Sequence, residues 1–262
     1  MSRKGKKMLS AKVNESRVVS LECEDRSLDY RCPMCGEKVI LKKGKVKIAH
    51  FAHEAHSACE ASGETLEHLK AKAWIYQNAK KDRYVDIVEA ECSRFEGIRP
   101  DVAIRLKGSI WIGFEIQRSG ISEDDIRRRN RIYAHHGILV LWIATESVYK
   151  NILKHAWEPE PEVRLSAQCR LFNTLHGNLV TFSGDSLVGF NFQTISRLRE
   201  VYEYGEPSGS FYSEELKTIF QPTHYKELHS KDFKGNRDES VLKVKTNGSH
   251  HFKEIVWRCY LQ

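Results

Sequence analysis

Two groups of residues in this chain have types and spacings that could do chemistry. The first is Asp101, followed by Glu115-Ile116-Gln117. Between them the chain alternates, with Val102, Ile104 and Leu106 on one arm and Ile110, Ile112 and Phe114 on the other. With residues 107–109 as the loop and Gly108 giving it turn freedom, antiparallel pairing sets Leu106 against Ile110, Ile104 against Ile112 and Val102 against Phe114. The same register puts Asp101 opposite Glu115, and the two-residue period adds Gln117 and Trp111 to that face. A slip of one residue would bury the acids and expose the isoleucines, so the register is well determined. Two carboxylates this close raise one another's pKa unless a cation neutralises them. Hard oxygen ligands on a rigid hairpin suit Mg²⁺ or Mn²⁺, which keep water and bind phosphate oxygens. The competing reading is a surface acid pair neutralised by Arg99 and Arg105. Trp111 has two readings as well, a stacking surface for a nucleic-acid base or a packing residue.

The second group is Cys32-Pro-Met-Cys35 and His50-Phe-Ala-His53, separated by fourteen residues patterned as a short hairpin turning at Gly44. Cys32, Cys35, His50 and His53 are the expected ligands of a tetrahedral zinc site. Four protein ligands leave no position for water, so the expected role is structural. His56 and Cys59 follow directly, and either can replace one of the histidines. Cys23, Cys92, Cys169 and Cys259 have no partner at ligand spacing and read as buried or inert thiols.

The elements that must position these groups come next. "GETLEHLKAKAWIYQNAKK" has helical spacing, with Leu66, Leu69, Ala73 and Tyr76 as an apolar stripe. "YVDIVEAEC" reads as a strand. Ser122 is a helix N-cap followed by three acids, and the helix "DIRRRNRIYAHH" runs to a stop at Gly137. "ILVLWI" is a continuous apolar run, the pattern of a strand covered on both faces. The order is helix, three strands, helix, strand.

That order, with Asp101 and Glu115-x-Gln117 on the second and third strands, resembles the PD-(D/E)XK nuclease core. Within that superfamily the chain resembles the competence protein CoiA-like family, through "YRCPMCG", "HFAH", "GETLEHLKAK", "RPDV", "FEIQRSGIS" and "GILVLWI" over roughly residues 30–145. The resemblance implies an α/β fold with an αβββαβ core and mixed sheet and an N-terminal zinc-binding hairpin module; the part beyond the resemblance reads from its own pattern as an α+β C-terminal extension. The corresponding domains are 1–60, 61–156 and 157–262. It implies that Asp101 and Glu115 hold Mg²⁺ or Mn²⁺, with Gln117 where other members place a lysine. Glu67 is the expected acid from the opening helix and Glu64 the second choice. The implied activity is metal-dependent hydrolysis of DNA, weakened by the missing lysine. It would serve transformation and recombination or anti-phage defence. The alternative is a feeble or inactive nuclease fold that binds single-stranded DNA as an accessory factor.

Composition agrees with a globular, nucleic-acid-facing protein: hydrophobic residues are 40%, charged residues 29%, and the formal net charge is +7. No apolar run has the length of a membrane span and no apolar signal region follows the basic N-terminus, so the expected location is cytoplasmic. Seven cysteines without an export signal argue for thiols and metal ligands over disulfides. Lys42, Lys43, Lys45 and Lys47 on the zinc hairpin and Arg127, Arg128, Arg129 and Arg131 on the second helix are basic clusters able to track a phosphate backbone. Lys43, Lys45, Arg127, Arg128 and Arg131 are the expected DNA contacts, DNA being favoured over RNA by the resemblance. Recombination or defence proteins are possible further partners, and a homo-oligomer stays open. "WEPEPEVRL" reads as a boundary, followed by strands in "RLFNTLHGNLVTFSG" and "LVGFNFQTI" and short helices in "ISRLREVYEY" and "SEELKTIF".

Overall fold

The computed structural model describes residues 6–148 other than 55–56, 58, 60–63, 84 and 108–109, and then residues 162–163, 165–176, 179–184, 186–190 and 192–218. Short strands are described beyond residue 222, and side chains as far as residue 210 except 149–164, 174, 177–178, 185 and 191–199. The chain is a mixed α/β structure built on a seven-stranded mixed sheet.

The segment 64–145 forms helix α1 (Leu66–Lys81), strands β6 (Val85–Ala90), β7 (Val102–Leu106) and β8 (Trp111–Gln117), helix α2 (Glu123–His135) and strand β9 (Ile138–Thr145). This is the expected order. Val102 pairs with Phe114 and Ile104 with Ile112, and the Leu106 amide donates to the Ile110 carbonyl at 2.8 Å. The hairpin register is therefore the one that the alternation demands; its expected pivot, Gly108, lies outside the described residues. β8 then runs parallel to β9, and β9 parallel to β11 (Leu179–Ser183). Strands β12 (Ser186–Phe190) and β15 (Thr223–Tyr225) complete the sheet, in the order β15-β12-β11-β9-β8-β7-β6. The sheet thus continues past residue 157.

Both faces of the sheet are covered. Ala71, Ile75 and Ala79 of α1 pack on Ile104, Ile112, Phe114, Ile116, Leu141 and Ile143. Ile126 and Tyr133 of α2, with Phe172 and Leu175 of helix α3 (Ala167–His176), pack on Val140, Trp142 and Val188. Strand β9 is buried on both sides, which is why its sequence is apolar without alternation. Each such aliphatic or aromatic side chain contributes about 1.5–3 kcal/mol of transfer free energy. The stripe Leu69, Ala73 and Tyr76 faces a third direction, against Leu9 and Val19 of the N-terminal segment.

That segment contains β1 (Lys7–Met8), the hairpin β2 (Ser10–Val13) and β3 (Ser16–Val19), and the hairpin β4 (Val39–Lys42) and β5 (His50–His53). β1, β5 and β4 form one small sheet, with a core of Met8, Tyr30, Val39, Leu41 and Phe51.

The C-terminal expectations change. Residues 170–176, expected as strand, belong to α3, and residues 195–204, expected as a helix, lie largely in β13 (Phe192–Glu203). Residues 213–218 are likewise strand, in β14 (Glu206–Thr218), with β10 (Glu162–Val163) alongside it. The turn explains the switch: Tyr204 has φ 54° and Gly205 φ 86°, and Glu203 pairs directly with Glu206. Two consecutive positive φ values are the signature of the tight turn whose twist matches a β-hairpin. Charged residues at helix-like spacing here lie on a ribbon. Most of the expected boundary at 157–165 lies outside the described residues. Strands β16 (Phe233–Asn236), β17 (Val241–Lys245) and β18 (Glu254–Arg258) form a separate small sheet. Among the described residues, no helix is long and apolar enough to cross a membrane.

Candidate functional site

A cleft of about 470 Å³ opens beside the ends of β7 and β8, and Glu64, His68, Glu91, Asp101, Glu115, Gln117 and Arg129 all line it. Asp101 sits just ahead of β7. Its amide donates to the Phe114 carbonyl at 3.0 Å, and its Oδ2 accepts from the Ile116 amide at 2.8 Å. The hairpin itself therefore fixes the carboxylate. His68 Nε2 approaches the same oxygen at 3.0 Å. Burial opposes charge on Asp101, but the His68 charge and hydrogen bond, with Lys72 and the Ile116 amide, outweigh it and hold its pKa below the usual range. The converse holds for His68: burial pulls it down, while Asp101 pulls harder and raises it.

Glu64 precedes the helix, since Thr65 is the N-cap of α1 and accepts from the His68 amide. Its Oε1 accepts from Lys72 Nζ. Its Oε2 is buried, has no hydrogen-bond partner, and lies 3.9 Å from His68 Nδ1. Burial pushes the Glu64 carboxyl up to about 7, with Lys72 opposing and Glu91 and Asp101 adding repulsion. Ligand atoms of Glu64, His68 and Asp101 all lie within 4.8 Å of one another. An orphaned buried oxygen beside an imidazole and a second carboxylate is a donor set that fits a divalent ion.

Glu115 reaches the same cleft by a different route. It is buried, and both of its oxygens accept from Arg129 Nη2, at 2.8 and 2.9 Å. The Tyr133 hydroxyl donates to it as well. Tyr133 packs so closely on β8 that a Cβ at Gly113 would come to 2.7 Å from its ring, so any side chain there displaces the ring. Arg129 is in turn stacked over Trp142, 5.3 Å from the ring centroid. Burial, then the charge of Asp101, pushes the Glu115 carboxyl up to about 8 despite Arg129. Glu115 thus has a cationic partner from the protein itself, Arg129. It is neither arginine considered from the sequence: Arg99 goes to Glu91 at 3.2 Å, and Arg105 to Asp86 at 2.8 Å. Trp111 packs edge-on against Phe95, with Arg94 and Arg105 over its ring.

Glu67 does not enter the cleft. Its carboxylate accepts from the Ser147 amide and hydroxyl, at 3.2 Å each, in a neighbouring hollow. One helical step from His68 turns it away, whereas Glu64 lies one turn before His68 and two before Lys72.

The second cluster is made by Cys32, Cys35, His53 and Cys59, whose ligand atoms lie within 4.8 Å of one another. This Cys3His set could bind a zinc ion. The Met34 amide donates to Cys32 Sγ at 3.4 Å, and Gly36, at φ 74°, turns the knuckle. His53 Nδ1 lies 3.1 Å from Ser57 Oγ and 3.3 Å from Glu37, which aims Nε2 at the sulfurs, 3.9 Å from Cys35. His50 is not part of it. Residues 50 and 53 are three apart on β5 and point to opposite faces, and His50 Nδ1 bonds the Ile48 carbonyl at 2.8 Å. Cys59 takes the fourth corner.

Of the expected DNA contacts, Lys43 lines a groove on the β4–β5 hairpin together with Arg26, Lys42, Lys45 and Lys47, and its amine is also bonded to Glu24 and the Cys23 carbonyl. Arg127 and Arg128 pair with the first-turn acids Glu123 and Asp125, and Arg131 is exposed on the same helix.

Comparison with known proteins now bears on these two clusters. Residues 13–62 match the model described as the N-terminal domain of competence protein CoiA, and residues 64–187 the one described as its nuclease-like domain. The chain belongs to the competence protein CoiA-like family. Among curated proteins it is 32% identical over 124 residues to the Competence protein CoiA of Bacillus subtilis (strain 168), covering 47% of this chain and 33% of that protein. The match spans about a third of that relative's length. No solved structure matches. The Cys3His cluster falls within the N-terminal match, and the cleft within the nuclease-like match of this CoiA-like chain.

Four cleft residues carry no motif of their own. His68 and Lys72 show in the sequence only as the spacing 64, 68, 72, three polar residues at four-residue intervals running into α1, which carries other polar residues as well. Arg129 and Tyr133 are one turn apart on α2, and Gly113 is the strand position that admits the tyrosine.

Proposed function

We propose that this chain is a metal-dependent nuclease that hydrolyses DNA, with its active centre at Asp101 and a structural zinc module at its N-terminus. The observation that carries the reading is the convergence of Glu64, His68 and Asp101 in one cleft with a buried, unbonded carboxylate oxygen, inside a helix–three strand–helix–strand order of elements that resembles the PD-(D/E)XK core. Glu64, His68 and Asp101 would hold Mg²⁺ or Mn²⁺, and the imidazole favours Mn²⁺. Such an ion supplies Lewis-acid polarisation of a phosphodiester and acidifies a water. Asp101, pinned by the Ile116 amide, keeps its charge and sets the position of the centre. Gln117 at the cleft wall hydrogen-bonds phosphate oxygens without adding charge. Arg129 lines the same cleft and has the fork geometry for phosphate, so it passes from Glu115 to the substrate and frees Glu115 as a further oxygen donor. Lys43 and Lys45 on the zinc hairpin, and Arg127, Arg128 and Arg131 on α2, track the backbone on either side.

The test is incubation of the full chain with single- and double-stranded DNA and Mg²⁺ or Mn²⁺. Asp101→Ala is expected to lower cleavage about 100-fold or more, the size of a lost electrostatic anchor in a reacting site, while Glu67→Ala leaves it unchanged. Equal cutting by Asp101→Ala and wild type overturns the assignment.

The lock of Arg129 and Tyr133 on Glu115, and glutamine at position 117, favour a second reading, a DNA-binding accessory factor in recombination of single strands. Salt-sensitive binding that survives Asp101→Ala, with no cleavage under any metal, would establish it. Under either reading the role is in competence or in anti-phage defence.

A further inference from the structure

Glu91 is the most heavily contacted carboxylate among the described residues, and neither the expected site nor the reading above uses it. It is buried at the end of β6 with φ 51°, in the left-handed region that a glutamate occupies only when its surroundings hold it there. Its contacts come from two directions. From the cleft side, Lys72 Nζ donates to Oε1 at 2.6 Å and Arg99 to Oε2 at 3.2 Å. From the N-terminal side, the Leu9 amide donates to Oε1 at 2.8 Å, the Ser10 amide to Oε2 at 3.2 Å, and the Ser10 hydroxyl to Oε2 as well.

Those N-terminal donors are continuous with the Cys3His module. Met8 pairs with Phe51 of β5, and the His53 amide donates to the Lys6 carbonyl at 3.0 Å. His53 is one of the four clustered ligands. A run of directly bonded groups therefore leads from the module, through β1 and the residues following it, to Glu91 and on to Lys72. Lys72 is wholly buried, bonds Glu64 as well, and lies 4.0 Å from Asp101. Asp101 is anchored by the Ile116 amide and His68, both within the cleft, whereas Glu91 is anchored by the N-terminal segment.

We infer that Glu91 is a positioning residue through which the Cys3His module sets the cleft's buried lysine, Lys72, and with it the orientation of Glu64. The module is then a structural support of the cleft as well as a possible grip on DNA. The part of this inference that concerns metal binding rests on the function proposed above; the placing of Lys72 does not.

The experiment uses the full chain with ¹⁵N-labelled lysine and follows two readouts, proton exchange of the Lys72 ammonium by NMR and Mn²⁺ binding at the cleft by electron paramagnetic resonance. Ser10→Ala touches Glu91 and no other cleft group, and Glu91→Gln keeps the shape while removing the charge. Both variants, and wild type stripped of its module metal, are expected to speed Lys72 ammonium exchange by about tenfold, the ratio that loss of one charge-assisted hydrogen bond gives. Mn²⁺ affinity is expected to fall in parallel. If Glu91→Gln does not fold, Ser10→Ala and the stripped protein decide. Lys72 exchange that stays at the wild-type rate in both, even with a lowered melting temperature, overturns the inference and leaves Glu91 a purely structural residue. A wild type that binds no Mn²⁺ overturns the nuclease reading instead, and the Lys72 signal still decides the coupling.

Discussion

The Cys3His cluster and the acidic cleft each gather metal-ligating atoms within 4.8 Å, yet they are built on opposite principles. In the module, soft donors face one another with no internal cation among them, and the surrounding groups orient the ligands: Ser57 and Glu37 on His53, the Met34 amide on Cys32. In the cleft, four carboxylates, from Glu64, Glu91, Asp101 and Glu115, are already balanced by Lys72, Arg99, Arg129 and His68. On the function proposed above, the first arrangement takes its positive charge from a bound ion, whereas the second carries cations of its own, one of which, Arg129, gives way to substrate. The two clusters then differ in who supplies the positive charge.

The largest expected effect tests the module. Cys59→Ser is expected to abolish zinc binding by the module, measured as equivalents per chain, and to unfold the β4–β5 hairpin and the core it forms with Tyr30. The binding free energy of such sites is on the order of 10 kcal/mol and doubles as folding free energy. His50→Ala is expected to keep the full equivalent. The reverse outcome would restore the Cys2His2 set that spacing alone suggests.

That contrast shows where the sequence was legible. Period-two alternation set the register of β7 against β8 because a slip costs a whole buried face, and the two acids came with it. Spacing leaves the fourth member open between a second histidine and Cys59, and the strand period separates the histidines: a three-residue gap puts His50 and His53 on opposite faces, and Cys59 joins the cluster. Of the two acids the sequence offers near the helix start, Glu67 and Glu64, it is Glu64, ahead of the N-cap, that lines the cleft, while Glu67 on the first turn points to Ser147. Arg129 was visible only as one of several arginines on α2. Nothing local distinguishes the one that turns inward, because Trp142 and Glu115, which receive it, lie on neighbouring strands. The β13–β14 ribbon was missed because its residues carry helix-like charge spacing, and only the Tyr204-Gly205 pair records the turn.

The next test asks whether the cleft is held by its internal cations. Lys72→Met leaves Glu64 and Glu91 facing each other without their shared partner and is expected to cost about 3–5 kcal/mol in denaturant unfolding, as removal of one member of a buried ion pair does. The pH dependence follows from Glu91. Burial raises its pKa, but Lys72 and the hydrogen bonds of Ser10 outweigh this and hold it at about 2, below the ordinary 4.5. A depressed carboxyl stabilises the fold above its unfolded value and loses that contribution as pH falls toward the folded one. Stability is therefore expected to drop between about pH 4.5 and 2 in wild type. Lys72→Met is expected to flatten that arm. An equally steep arm in the variant would place the acid sensitivity elsewhere.

The smallest expected effect concerns Glu115. Gly113→Ala brings a methyl to 2.7 Å from the Tyr133 ring, with the Pro100 side chain 3.5 Å away. Such overpacking costs about 1–3 kcal/mol, and the ring is expected to yield by withdrawing its hydroxyl from Glu115. Arg129 remains, so the carboxylate keeps its ion pair and the fold survives. If the internal cation alone holds Glu115 closed, cleft Mn²⁺ affinity stays at the wild-type value in Gly113→Ala and rises in Arg129→Gln. If the tyrosine shares the task, Gly113→Ala raises it too. Calorimetric titration of the two variants against wild type separates these outcomes. It thereby tests the central difference from the module, where no side chain has to leave before an ion can enter.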